Sequence, residues 1–157
     1  MSETALAPIA LFVYNRPRHT LRTLEALAAN PLAKKSTLYI FADDVKKNAN
    51  NTAHVNVQQV RRIILSQQWC KEVIIEKAKG NKGLAQSIVD GVTKVVQKHG
   101  KVIVLEDDIV VSKGFLQYMN DALIFYKREE SVMHIAAYLP PINTELPDTF
   151  FLSLIHI

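Results

Sequence analysis

Residues Lys101–Asp108 read KVIVLEDD: four apolar residues, Val102 to Leu105, run straight into three carboxylates, Glu106, Asp107 and Asp108. A short apolar run rich in β-branched side chains suits a central strand of a parallel sheet, buried on both faces. In open α/β sheets, ligands bind just beyond the carboxyl ends of such strands. Three adjacent acids repel one another, so a positive partner is expected there. A hard divalent cation such as Mg²⁺ or Mn²⁺, which prefers oxygen ligands, fits that need. The plainer alternative is a solvated turn whose acids favour the start of the next helix through its dipole.

Outward from this stretch, apolar runs and helical patterns alternate. Pro8 to Tyr14 reads as a first strand, closed by Asn15-Arg16-Pro17. Pro17 suits the first turn of a helix, where its missing N–H has no cost. Leu21, Leu24 and Ala28 then recur at helical spacing until Asn30-Pro31. Leu38 to Phe41 predicts a second strand ending in Ala42-Asp43-Asp44, followed by a polar surface loop, KKNANN. Thr52 to Ser66 is amphipathic through Val57, Val60 and Ile64, and Trp69 just beyond it reads as a packing residue.

Val73 to Ile75 predicts a third strand, and the loop KAKGNKG leads into a helix. Its inner face is expected to carry Leu84, Ile88, Val92 and Val95 or Val96, with Gly100 closing it. After the acids, Ile109 to Ser112 leads into a helix bearing Leu116, Met119, Leu123 and Tyr126, and Val132 to Ala136 is expected to be a fifth strand. From Leu139 the chain is proline-rich, with Pro140, Pro141 and Pro147, and it ends in LSLIHI. The alternation predicts an α/β, Rossmann-like, mostly parallel sheet with helices on both faces. The organisation that follows is an α/β domain over 1–138 and a separate segment over 139–157.

Composition sets outer bounds. The chain has 157 residues, 48% hydrophobic and 22% charged, which is ordinary for a globular domain. The net charge is +4, but the lysines are scattered, which argues against a nucleic-acid surface and permits a small anionic ligand. The single Cys70 excludes an internal disulfide and permits a reducing compartment. The opening MSETALAPIALFVYN lacks the basic region of a signal peptide, and its apolar part falls short of the roughly 20 residues a bilayer span needs. No transmembrane segment is expected. The resulting expectation is a cytoplasmic protein, with peripheral membrane association left open.

In a parallel sheet, four polar clusters fall on one edge: Asn15-Arg16, Asp43-Asp44, Glu106-Asp107-Asp108, and the helix-opening loop Gly80-Asn81-Lys82-Gly83. Together they offer cations and a helix start for phosphate, an aspartate for a base or ribose, and acids for a metal. Each also has a plainer reading as a turn or surface residue. No G-x-x-x-x-G-K-[ST] is present, and no G-x-G-x-x-G follows the first strand, so the common P-loop and dinucleotide patterns are absent. Tyr14-Asn15-Arg16 stands where a receiver domain would carry its acid pair. His19, His54, His99 and His134 lack metal-like spacing.

FVYNRP (12–17), YIFADD (39–44), GNKGLAQSI (80–88) and VIVLEDDIVVSKGF (102–115), in that order and spacing, resemble glycosyltransferases of the GT-A fold. The likeness is to bacterial family-2-like enzymes and to the related family-13 N-acetylglucosaminyltransferases that begin complex N-glycan branching. It implies a metal-dependent, inverting sugar transferase using a UDP-sugar, of the kind that serves polysaccharide biosynthesis. Its acceptor would be a glycan, a lipid-linked sugar or a protein. The resemblance makes Glu106-Asp107-Asp108 a motif of D-x-D type. Asp108 would ligate Mn²⁺ or Mg²⁺ on the donor diphosphate, and Asp107 would meet the ribose or the sugar. Arg16, beside Tyr14, would face the diphosphate or nucleotide, and Asp43 would bond the uracil edge. Asn81 and Lys82 would lie in the loop that closes over the nucleotide.

The family's later strands and helices bind the acceptor and supply the inverting base. Only SLIHI follows LPDTFFL here. The expectation is that residues 139–157 begin an acceptor region with a truncated or non-native end, and that the base lies past the chain end. Two other readings are a non-catalytic α/β nucleotide-binding module and a nucleotidyltransferase; the latter normally has a glycine-rich first loop, absent after Tyr14.

Overall fold

The computed structural model describes residues 5–137. Strands β1 (Ile9–Val13), β2 (Thr37–Ala42), β3 (Glu72–Lys77) and β4 (Ile103–Glu106) alternate with helices α1 (Pro17–Ala28), α2 (Asn51–Ile64) and α3 (Leu84–His99), and α4 (Phe115–Phe125) follows β4. The strands form one all-parallel sheet in the order β3-β2-β1-β4. This is the α/β, Rossmann-like arrangement that the alternating pattern predicts.

Local chemistry explains the element ends. Pro17 stands in the first turn of α1. The Asn50 side chain caps α2 by accepting from the Ala53 N–H at 2.9 Å. Gly100 ends α3 in the left-handed region, at φ 74°, where its N–H bonds the Val96 carbonyl at 2.7 Å.

The sheet is covered on both faces. Ile9, Leu11 and Val13 of β1 share one core with Leu24 and Leu27 of α1, Ile64 of α2, and Leu116 of α4. On the opposite face, the Phe12 and Phe41 rings stack with centroids 5.1 Å apart, and α3 presses Gly91 onto them. A Cβ built at Gly91 would stand 2.7 Å from Phe12 Cε1, so this helix approaches the sheet only because residue 91 has no side chain.

The chain runs outward from β1 through β2 to β3, then crosses back to place β4 on β1's other side. Helices α1 and α3 therefore cover opposite faces of the sheet. The point where the order reverses, between β1 and β4, opens a crevice at their carboxyl ends.

Several expectations need correction. KVIV does not form a central strand: among the described residues β4 is an edge of the sheet, and Val104 is 41% exposed. Apolar runs report how buried a strand is, not its place in the sheet order. Val132 to Ala136 forms no strand. Val132 and Ile135 are β-formers, but a strand needs a ladder partner. Here Ile135 is buried, Met133 is 96% exposed, and the Ala136 carbonyl accepts from the Tyr118 hydroxyl at 3.3 Å.

On α1 the buried face is Thr20, Thr23, Leu24 and Leu27, and Leu21 is exposed. Thr23 is inside with its hydroxyl bonded to a buried carbonyl, as described below, and Thr20 satisfies its hydroxyl within its own helix. On α3 the buried residues are Gly91 and Val95, and Leu84 is exposed at the crevice. Trp69 is buried, as a packing residue should be. Among the described residues no helix is long and apolar enough to cross a membrane. The proline-rich run and the segment 139–157 lie outside the described residues.

Candidate functional site

At the carboxyl edge of the sheet, the ends of β1, β2 and β4 and the start of α3 enclose a cavity of about 430 Å³. That volume lies within the range of small-ligand pockets. Its lining includes Tyr14, Arg16, Asp43, Asn81, Glu106, Asp107 and Asp108. Of the residues to which the resemblance gives a role, only Lys82 is absent from it, and of the polar clusters Asp44 and Gly80 also stand outside.

The acid segment is a tight turn. The Ile109 N–H bonds the Glu106 carbonyl at 3.3 Å, which leaves Asp107 and Asp108 at the corners. The turn is tied down from α1 and beyond it. The Thr23 hydroxyl donates to the Asp107 carbonyl at 3.0 Å. Asn30 donates to the Ser112 carbonyl at 3.1 Å and accepts from the Leu116 N–H at 3.0 Å. At the other strand end, the Thr20 hydroxyl and N–H both donate to the Arg16 carbonyl at 2.9 Å. The Thr23 bond explains why α1 turns that threonine inward.

The corner residues differ in environment. Asp107 is buried, and its carboxylate accepts weakly from the Tyr14 N–H at 3.4 Å. Burial pushes its pKa up, opposed by the Tyr14 N–H and by Arg16. Asp108 is half exposed and accepts from Arg16 Nη1 at 2.7 Å, while Asp107 Oδ1 lies 3.6 Å from the same nitrogen. The guanidinium from the end of β1 is thus the positive partner of the acids at the end of β4.

Across the cavity, Asp43 is bonded by loop 80–83, from Asn81, Lys82 and Gly83. Asp44 points away from the cavity, its Oδ1 3.0 Å from Arg61 Nη2 of α2. The Lys82 side chain turns to Asp90 at 2.7 Å, in an adjoining depression of about 260 Å³. That contact raises the Lys82 pKa and lowers that of Asp90.

Sequence reasoning missed several lining groups, Val13 and Ser87 among them. Phe12, Phe41 and Leu84 give the cavity apolar surface, and Lys46 brings a cation from the loop read as plain surface. The stacked rings were hidden because their partnership joins two strands. Lys46 could have been suspected from its place two residues past Asp44, at a strand's carboxyl end.

Among the described residues no three His, Cys, Asp or Glu side chains converge on one metal position. Asp107 and Asp108 do not make a full protein cage. Two carboxylates do fit a hard cation that keeps water and takes substrate phosphate oxygens for the rest of its shell. No protein-family model matches the chain, and no curated protein sequence matches it.

Proposed function

We propose that the chain binds a nucleoside-diphosphate sugar, with UDP as the nucleotide, and is the donor-binding part of a metal-dependent glycosyltransferase of GT-A type. The observation that carries this reading is the meeting of Arg16 with Asp107 and Asp108 in one cavity at the strand-order switch point. A guanidinium beside a carboxylate pair suits a ligand that brings anionic phosphates together with a cation.

In this reading Asp108, with Asp107, holds Mg²⁺ or Mn²⁺. The cation, when bound, would stabilise the negative charge that develops on the departing diphosphate. Arg16 pairs with phosphate oxygens, and the base lies over the apolar surface of Phe41 and Leu84. Asp107, the more buried of the two, accepts from ribose or sugar hydroxyls in this reading. No described residue of the cavity is assigned as the base that activates an acceptor.

Calorimetry of UDP binding with and without Mn²⁺ tests the reading. Tighter binding with Mn²⁺, lost in Asp108→Ala, is the expected result. Absence of metal-dependent binding, or an unchanged affinity in Asp108→Ala, would overturn it.

A further inference from the structure

A carboxylate offers about four acceptor positions, two on each oxygen. All four are taken at Asp43. Its Oδ1 accepts from the backbone N–H groups of Asp44 at 2.8 Å and Lys82 at 2.9 Å. Its Oδ2 accepts from Asn81 Nδ2 at 3.0 Å and from the Gly83 N–H at 3.0 Å. The residue is 8% exposed, so bonds lost there are not simply replaced by bulk water.

Loop 80–83 depends on this anchor. Among the described residues, its one other hydrogen bond to the end of β2 is from Asn81 Nδ2 to the Asp44 carbonyl, at 2.7 Å. Gly83, at φ 79°, turns the chain into α3 with no side-chain cap. The loop in turn forms the cavity wall through Asn81, Gly83 and Leu84, across from Arg16.

We infer that Asp43 is a positioning residue: it latches loop 80–83 against β2 to form the cavity wall, and it does not itself contact the ligand. Its carboxylate has no acceptor position to offer a base edge unless the loop first lets go. The inference rests on the proposed ligand class only in the choice of UDP as a probe.

Asp43→Asn isolates the latch because it keeps the shape of the side chain. In either amide orientation, the new NH₂ group faces two donors, Asn81 Nδ2 with the Gly83 N–H, or the Asp44 and Lys82 N–H groups. The first measurement is amide hydrogen exchange in the unliganded protein. Exchange at Lys82 and Gly83 should rise about tenfold or more in Asp43→Asn, the scale expected when buried bonds to a charged group are lost. Unchanged exchange would overturn the latch whether or not UDP binds.

The second measurement adds UDP, and separately inorganic pyrophosphate, to the unsubstituted protein with Mn²⁺. Equal or greater protection of the Lys82 and Gly83 amides is expected with both. Faster exchange with UDP alone would mean that the base takes the carboxylate from the loop, which would overturn the inference. Failure of UDP to bind would count against the proposed function and leave the first measurement decisive for the latch.

Discussion

Gly91→Ala sets two effects of opposite sign against each other. Within a helix, alanine is favoured over glycine by about 1 kcal/mol, so an unobstructed site would gain that much. Here the added Cβ would meet Phe12 Cε1 at 2.7 Å, Phe12 Cζ at 2.9 Å and Phe41 Cδ2 at 3.0 Å. The ring of Phe12 cannot retreat easily, because it is buried on the inner strand β1 and stacked on Phe41. Crowding of this kind costs about 1–3 kcal/mol. The net expectation is a loss of about 1 kcal/mol, read as a lower midpoint at unchanged slope in urea unfolding followed by circular dichroism. Phe12→Leu removes the crowded ring edge, so the double variant should lose less than the sum of the single losses. A Gly91→Ala protein about 1 kcal/mol more stable than its parent would refute the close approach of α3 to the rings.

Two further outcomes follow from buried ionisable groups. Because burial raises the pKa of Asp107, its stabilising share is complete in acid and is lost as pH rises through that raised value. Asp107→Asn should therefore be more stable than the parent at neutral pH without metal, the difference vanishing in acid; urea titrations across pH read this, and a constant difference would exclude it. Burial pushes the Cys70 thiol up to about 12, so a thiol reagent at neutral pH should leave the folded protein unmodified and label it only on unfolding. Rapid labelling of the native protein, followed by mass spectrometry, would contradict the buried placement.

Much of this fold is written in local pattern. The runs at Ile9–Val13 and Thr37–Ala42 and the helical spacing of Val57, Val60 and Ile64 identify elements because burial repeats with the period of the backbone. The site was legible for a related reason. In a parallel sheet every strand end falls on one edge, so Arg16, Asp43 and Asp107 could be brought together without knowing the strand order. The edge position of β4 was not legible, since Val102 to Leu105 looks alike in an inner and an outer strand. Nor could spacing reveal that Gly91 meets Phe12, or that Asp43 is saturated by residues 81–83. Those facts depend on how two elements approach each other, and neither element encodes that alone. Leu21 and Leu84 misled for the complementary reason: Thr23 offered a hydroxyl to the buried Asp107 carbonyl, and Leu84 faces the crevice.

The chain has one tryptophan, Trp69. Its indole is buried with Nε1 donating to the Ile64 carbonyl at 3.3 Å, just before the entry end of β3. The cavity opens at the exit ends of the strands, roughly 20 Å away by the length of one strand. Intrinsic fluorescence should therefore change sharply when the chain unfolds and stay almost silent when the cavity fills. The protein thus carries a built-in optical gauge of its own integrity, one that can run alongside a ligand titration without being confused by it.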